Sequence, residues 1–218
     1  MILTVGLICD QDFVMIDPTQ LTTEKIRWAI DQYQSLSTPP EYRIRLQDEL
    51  GVLQPAAVLI PLFQVDRQWH LLLTQRSQNL VQHRGQVAFP GGAQESGDVD
   101  LEATALREIN EEIGLEIGDV EVLGHLGDIP VITGYLVRIF VGVIPWPYPL
   151  RINPHEVESV FSIPLAWLAE PEHRTLQYRN YAGQMLPVFY YDIYQGRQLW
   201  GLSADMTVAL LDALALVR

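Results

Sequence analysis

The sequence is poor in cysteine and in basic residues, and each shortage excludes a class of function. Cys9 is the only cysteine among 218 residues, so no disulfide can form within the chain and a cysteine-based zinc site is not expected. Lysine and arginine number 14 against 27 acidic residues, a formal net charge of −13. An acidic surface repels nucleic-acid phosphates, so we expect no nucleic-acid partner. A small phosphorylated substrate needs only a local basic patch or a metal ion and is not excluded.

Long apolar runs are also missing. The run Ala56–Phe63 is too short to span a membrane, and Pro61 interrupts it. Met1–Cys9 is apolar but has no basic leader, and Asp10 and Asp12 follow it directly, which is more typical of a strand than of a signal peptide. Because 48% of the residues are hydrophobic, the chain can build a core. We therefore expect a soluble, cytoplasmic protein that does not contact membranes.

The order of elements predicts an α/β (α+β) fold in which helices cover both faces of a mixed sheet. Residues 1–50 form an N-terminal extension of unknown role, which either caps a substrate cleft or packs in a homodimer, and residues 51–218 form the main domain. In the extension we predict a strand at Met1–Cys9, a helix capped by Thr22 or Thr23 with Ile26, Ala29, Ile30 and Tyr33 on its apolar face, and a helix at Glu41–Leu50. In the main domain we predict strands at Ala56–Gln64, Trp69–Thr74, Val120–Leu126, Leu136–Ile144, Val157–Ile163 and Leu186–Tyr194, and helices at Leu101–Ile113 and Ser203–Val217.

The helix predicted at Leu101–Ile113 concentrates acidic side chains on one face. Its expected N-cap is Asp100 and its expected end is Gly114. At 100° per residue, three glutamates fall within an arc of about 100°: Glu108, Glu111 and Glu112. Like charges so placed cost about 0.2–0.5 kcal/mol per pair, and Arg107 offsets part of this cost. A solvated acidic stripe explains the helix when it is taken alone, whereas a magnesium ion, which prefers oxygen ligands, explains why the carboxylates converge.

Residues before the helix favour the metal site. The segment from Gly92 to Leu115 strongly resembles the Nudix box, a glycine and an acidic residue followed by R-E-x-x-E-E-x-G and an aliphatic residue. Asp98 stands in place of the usual glutamate, one residue further from the arginine, and both departures are familiar in one branch of the family. The matching residues are Gly92, Arg107, Glu108, Glu111, Glu112, Gly114 and Leu115.

This resemblance implies an α/β/α sandwich in which the box, residues 92–115, forms a loop, a helix and a loop. It also implies a Mg²⁺ or Mn²⁺ cofactor and a set of roles. Glu108 and Glu112 would bind the metal, Glu111 would bind metal or activate water, a backbone carbonyl near Gly91 or Gly92 would complete the shell, and Arg107 would hold the carboxylates in place. Glu156 is a candidate for the distant acid that many such enzymes use as a further ligand or general base; its alternative is an ordinary glutamate at a strand edge.

A second resemblance concerns the substrate. The segment Leu72–Gly92 is similar to the signature upstream of the box in coenzyme A diphosphatases, L-L-T-x-R-S, then an arginine, then G-x-x-x-F-P-G-G. Val81 replaces the second arginine, and Arg84 offers a similar charge three residues on. The resemblance covers about residues 54–216. It implies hydrolysis of the diphosphate of coenzyme A or its derivatives, with Arg76, Arg84 and Gly92 binding the substrate. The alternatives are hydrolysis of ADP-ribose, NADH or another nucleoside diphosphate derivative, and a nucleotide-binding module without catalysis.

Overall fold

The computed structural model describes residues 17–36, 43, 48–79, 84–181 and 183–217, which form a large mixed sheet, a smaller antiparallel sheet and helices around them. The strands are β1 (Gln54–Val65), β2 (Gln68–Arg76), β3 (Val87–Ala88), β4 (Gly91–Ala93), β5 (Glu121–Val131), β6 (Tyr135–Val143), β7 (Val157–Pro164), β8 (Arg174–Tyr181), β9 (Gln184–Tyr194) and β10 (Arg197–Trp200). The helices are α1 (Thr23–Leu36), α2 (Leu101–Ile113), α3 (Leu165–Ala169) and α4 (Gly201–Ala213), with short 3-10 turns at Pro18–Gln20, Ile117–Asp119 and Pro171–His173.

A fork in the large sheet positions the glycine segment. The β1–β2 hairpin turns at Asp66 and Arg67, which have φ angles of 49° and 65°. It stays paired as far as Leu62 and Leu71 and then opens. Strand β3 pairs with β2 and β4 pairs with β1, so the segment 87–93 fills the opening. Both glycines of β4 are therefore held by main-chain hydrogen bonds at the centre of the sheet.

Both faces of the large sheet are covered, which confirms the predicted fold class. The strand order is β3-β2-β1-β6-β5, with β7 also paired to β2, and β1 is parallel to β6. On one face, Ile109 and Ile113 of α2 are fully buried against Leu59 and Leu72. A larger cluster on the other face joins α1 and α4 to the sheet. The two apolar clusters make the sheet the middle layer of the fold.

Helix α2 begins and ends where its sequence predicts. The Asp100 side chain accepts a hydrogen bond of 2.8 Å from the Ala103 amide, as an N-cap does. Gly114 ends the helix with a φ angle of 69°, and its amide donates to the Asn110 carbonyl. A side chain at this position would clash with Arg151, and the positive φ angle is disfavoured for any residue other than glycine. Both ends of the acidic helix are thus fixed by local chemistry.

Most predicted elements are confirmed, with shifted ends, but β3, β4, β8, β10 and α3 were not predicted. Most side chains of β8 are exposed, so the strand lacks the apolar alternation by which strands are recognised. The prediction of a helix at Ser203–Val217 is wrong at both ends, because α4 runs from Gly201 to Ala213. Ala215, with a φ angle of 55°, turns the chain after the helix, and Leu216 and Val217 are buried.

The described part of the N-terminal segment packs on the main core. Ile26 and Ile30 of α1 have no exposed surface, and the Lys25 amide donates to Thr22 Oγ1, as predicted for the cap. The Trp69 indole donates to the Leu21 carbonyl at 3.0 Å. The predictions for Met1–Cys9 and for most of Glu41–Leu50 lie outside the described residues. Within the described ranges, no helix combines the length and apolar character needed to cross a membrane.

Candidate active site

Three carboxylates converge on the α2 face of the large sheet: Glu108, Glu112 and Glu156. One oxygen of each lies within 4.8 Å of the others. The first two are one turn apart on α2, whereas Glu156 directly precedes β7. Pairing of β7 with β2 brings it in, because the Ser77 amide donates to the Glu156 carbonyl at 2.8 Å. Asn153 Nδ2 donates to Glu156 Oε1 at 3.2 Å and orients the carboxylate.

Burial makes this group of carboxylates costly to ionise together. Glu112 is only 2% exposed, and its burial, with the charges of Glu108 and Glu156 adding, raises its pKa to about 8. A hydrogen bond from the Gly91 amide and the positive charge of Arg76 oppose the rise. Burial also raises the pKa of Glu108. A divalent cation held between the carboxylates would offset this penalty, because a cation favours their charged forms.

Arg107 joins the acidic side chains around the cluster. Its Nε and Nη2 donate to the two oxygens of Asp98 at 3.0 and 3.1 Å. Its Nη1 donates to Glu108 at 3.0 Å and to Glu111 at 2.9 Å. Nη2 also donates to the Ala93 carbonyl at 3.1 Å and so ties the helix to β4. The guanidinium therefore fixes the Glu108 carboxylate relative to the glycine segment.

Asp98, for which the sequence analysis predicts no role, is paired with Arg107 beside the cluster. The Thr104 hydroxyl and the Glu95 amide donate to it at 3.0 and 2.9 Å. Its hydrogen bonds to Arg107 hold the pKa of its carboxyl well below the usual range. The position of Asp98 nine residues before Arg107 was visible in the sequence, but the pairing of the two was not. Asp98 orients the arginine that in turn orients the carboxylates.

Arg107→Lys removes the planar guanidinium group while keeping the positive charge. A lysine cannot donate to Asp98, Glu108 and Glu111 in this geometry, so we expect kcat/KM to fall about 10- to 100-fold, as when a partner of a metal ligand is lost. Steady-state kinetics at saturating Mg²⁺ measure this. Arg27→Lys, on the opposite face of the sheet, is the control and should match the wild type. Equal values of kcat/KM in the two variants would show that the hydrogen bonds of the Arg107 guanidinium do not contribute to activity.

Close approach of backbone to carboxylate explains the two glycines of β4. A Cβ on Gly92 would lie 2.2 Å from Glu108 Oε1, and a Cβ on Gly91 would lie 2.5 Å from the Ala57 carbonyl. Only glycine allows β4 to pair with β1 and also contact the cluster. The predicted carbonyl ligand near these glycines stays a prediction, as does the metal or base role of Glu111. The Glu111 side chain is 52% exposed and lies outside the group of three carboxylates.

Gly92→Ala tests this close approach. The added methyl group must displace the Glu108 carboxylate, the flexible end of its side chain, so we expect the fold to survive while the Mg²⁺ concentration for half-maximal activity rises about tenfold. Gly97→Ala is a matched control, since nothing lies within 4 Å of a Cβ built there. A Mg²⁺ titration of activity compares the two. An unchanged half-maximal concentration in Gly92→Ala would refute the importance of the contact.

Arg76 lies beside the cluster at the end of β2. The neighbouring residue, Ser77, donates its amide to the Glu156 carbonyl, and the charge of Arg76 lowers the pKa of Glu112. The Nε of Arg76 is buried and has no hydrogen-bond partner in the described part of the chain. The loop after β2 folds back, since the Gly85 amide donates to the Arg76 carbonyl at 3.1 Å, and this places Arg84 at the base of the loop. Val81 lies outside the described residues.

Comparisons with known proteins agree with this architecture. A family model described as the NUDIX domain matches residues 53–183. A protein of Photorhabdus laumondii named uncharacterized Nudix hydrolase NudL is 37% identical over 182 residues, which cover 81% of this chain and 91% of the relative. A protein of the same name from Escherichia coli is 50% identical over 111 residues, 51% of this chain and 57% of that relative. The chain thus matches little more than half of the length of that relative.

A solved structure supports the fold independently. The MutT/nudix family protein from Enterococcus faecalis superimposes with a TM-score of 0.51 at 16% identity, covering 88% of this chain and 73% of that one. At this identity the likeness concerns the fold alone. It agrees with a mixed sheet between helical layers.

Proposed function

The chain belongs to the Nudix hydrolase family, and from this premise we propose that it hydrolyses the diphosphate bond of coenzyme A or its derivatives, releasing 3′,5′-ADP and 4′-phosphopantetheine or its acyl form. Membership makes the protein a hydrolase of nucleoside diphosphate derivatives. The coenzyme A assignment goes further. It is supported by the L-L-T-x-R-S and G-x-x-x-F-P-G-G sequences, which meet at the fork of the large sheet.

The convergence of three carboxylates beside Arg76 is the observation that carries the proposal. The oxygens of Glu108, Glu112 and Glu156 lie within 4.8 Å of one another, and the donor set contains no histidine or thiolate. Hard oxygen donors fit Mg²⁺ or Mn²⁺ better than zinc or copper. The raised pKa of Glu112 also fits, since a cation offsets the cost that burial imposes on its ionised form.

In the proposed reaction, Glu108, Glu112 and Glu156 would hold the cation, and a backbone carbonyl near Gly91 or Gly92 would assist. The cation would offset the charge that builds up on the diphosphate and make the attacking water more acidic. A carboxylate of the site accepts the proton of the attacking water, and the candidates are Glu111, Glu112 and Glu156. Water adds to one phosphorus and the bridging P–O bond breaks, so one diphosphate gives two phosphate monoesters.

Two arginines are assigned to the substrate. The unpartnered Nε of Arg76 is buried beside Glu112, so a phosphate oxygen at the cluster would supply the missing acceptor. Guanidinium groups bind phosphate oxygens in bidentate geometry, which suits a diphosphate. Arg84 lies at the base of the same loop, and in the sequence it follows Val81, which replaces the arginine of the signature, by three residues.

A substrate panel tests the proposal. Coenzyme A, ADP-ribose and NADH are incubated with the protein, with and without Mg²⁺, and the products are separated by chromatography. We expect release of 3′,5′-ADP that depends on Mg²⁺, with a kcat/KM for coenzyme A at least tenfold above those of the other two. Hydrolysis of ADP-ribose or NADH but not coenzyme A would reject the coenzyme A assignment. Binding of nucleotides without any hydrolysis would favour the non-catalytic module instead.

A further inference from the structure

An arginine of the small sheet joins β2 to β7 in the large sheet. Arg197 of β10 donates from Nε to Gln75 Oε1 at 3.0 Å and from Nη2 to Ser159 Oγ at 3.2 Å. Gln75 of β2 and Ser159 of β7 are opposite each other in the register of these strands. The Ser159 hydroxyl also donates to Gln75 Oε1 at 3.4 Å. One guanidinium therefore holds both strands at a single pair of residues.

Arg197 contacts these strands on the face of the sheet opposite to α2. Its guanidinium lies over the ring of Phe161 at 4.7 Å, and Phe161 belongs to the apolar cluster on that face. Its Nη1 donates to the Gln195 carbonyl at 3.3 Å, so each nitrogen of the guanidinium has an acceptor. Side chains alternate along a strand, so Gln75 points to this face while its neighbour Arg76 points to the carboxylates. The sheet thus separates Arg197 from the active site.

The pairing of β2 with β7 changes at the next residue. The regular register ends after Gln75, because Arg76 is opposite Val157 and β7 carries one extra residue at this point. Such a bulge disrupts the ladder of hydrogen bonds locally and bends the strand. On its other side the Ser77 amide donates to the Glu156 carbonyl at 2.8 Å. The arginine assigned to the diphosphate and the carboxylate assigned to the cation therefore both lie at the bulge.

We propose that Arg197 is a positioning residue of the active site, which fixes Arg76 relative to Glu156 from the opposite face of the sheet. The proposal rests on the proposed function, in which Arg76 binds the diphosphate and Glu156 binds the cation. The bulge weakens the pairing of β2 with β7, and the hydrogen bonds of Arg197 hold the two strands one residue away from it. A misplacement of about 1 Å caused far from the chemistry can lower the rate about 100-fold, so such a contact matters for activity without touching substrate.

The first test replaces the guanidinium with an apolar side chain. Arg197→Met loses the three hydrogen bonds but keeps a flexible, unbranched side chain against Phe161. We expect the Kd for Mn²⁺ to rise about tenfold, as when a residue that supports a metal ligand is lost, and the KM for coenzyme A at saturating Mg²⁺ to rise several-fold. Arg179→Met is the matched control and should match the wild type. Arg179 also lies in the small sheet and over a ring, that of Tyr190, but donates to Tyr190 and Gln177 of the same sheet.

Hydrogen exchange in EDTA gives a readout that needs neither metal nor substrate. The Ser77 amide donates to the Glu156 carbonyl beside the bulge, so its exchange rate reports on the pairing there. This amide should exchange several-fold faster in Arg197→Met than in the wild type. The Ile144 amide, which donates to the Leu62 carbonyl near the opposite end of β1, should keep its rate. A faster rate at Ser77 alone distinguishes local positioning from a general loss of stability.

The outcomes separate the role of Arg197 from the proposed function. A lower Tm in Arg197→Met, with the KM, Mn²⁺ affinity and Ser77 exchange of the control, would show that Arg197 only stabilises the fold and would overturn the proposal. Ser159→Ala removes one acceptor and should give the same changes at a smaller size, which keeps the test decisive if Arg197→Met does not fold. Hydrolysis of ADP-ribose or NADH with coenzyme A inert, together with weaker Mn²⁺ binding and faster Ser77 exchange in Arg197→Met, would overturn the coenzyme A assignment and support the positioning role.

Discussion

Replacing Glu112 with glutamine is expected to lower kcat by about 10³-fold, within the range of 10²- to 10⁴-fold known for the loss of a catalytic carboxylate. Glu112 is the most buried of the three converging carboxylates, and Glu108 and Glu156 both act on its pKa. Glutamine has nearly the same shape and can still accept the hydrogen bond from the Gly91 amide, so the fold should persist. The substitution removes the charge at the centre of the cluster and little else.

The kinetics of Glu112→Gln need a control on the same helix. Glu102 lies exposed in the first turn of α2, away from the cluster, and Glu102→Gln should match the wild type. Initial rates are measured at saturating Mg²⁺ with circular dichroism of each variant. A folded Glu112→Gln protein with near-normal turnover would contradict the ligand assignment.

The stability of the metal-free protein is expected to fall as the pH rises from about 5 to 8. The pKa of Glu112 is raised in the folded protein from 4.5 to about 8. The folded state therefore holds this proton more tightly than the unfolded state. Its contribution to the free energy of unfolding is fully present below pH 4.5 and is lost as the pH rises through about 8. A loss on the order of a few kcal/mol lowers the Tm by roughly 5–10 °C in a chain of this size.

Thermal melts in EDTA and in Mg²⁺ isolate this effect from other titrating groups. Glu112→Gln cannot ionise, so in EDTA at pH 8 it should melt several degrees above the wild type, whereas the two should melt together at pH 4.5. Added Mg²⁺ should raise the Tm of the wild type more at pH 8 than at pH 6. If the Tm of wild type and variant changed equally across this pH range, ionisation of Glu112 would not be what destabilises the folded protein.

Local signals account for what was predictable from the sequence. Helix α2 is capped by Asp100 and ends at Gly114, and each of these residues forms its capping hydrogen bond with a residue three or four positions away. The helix and its acidic face were therefore predicted with the right bounds. The two strands of the β1–β2 hairpin were predicted for the same reason, because each is a short apolar run. The box and the segment before it indicated the family through residues that are close in sequence.

Long-range pairing accounts for what local signals could not predict. Glu156 was a candidate only through the family resemblance. It reaches the cluster because β7 pairs with β2 and a register shift follows Gln75, and neither is encoded near Glu156 itself. The fork that holds β4 depends on β1 and β2 separating beyond Leu62. Strand β8 is held by its pairing with β9 rather than by an apolar pattern of its own. Partners distant in sequence decide these features, so one sequence could not reveal them.

A titration with Mn²⁺ tests the central claim most directly. Binding is measured as the decrease in the electron paramagnetic resonance signal of the free ion. The account holds that a carboxylate before β7 shares one cation with two carboxylates of α2. Glu156→Gln should therefore weaken Mn²⁺ binding at least about tenfold, as loss of a metal-site contact does. Glu158→Gln, two residues away and exposed, should bind as the wild type does. Wild-type affinity in Glu156→Gln would contradict the assignment of a shared metal site.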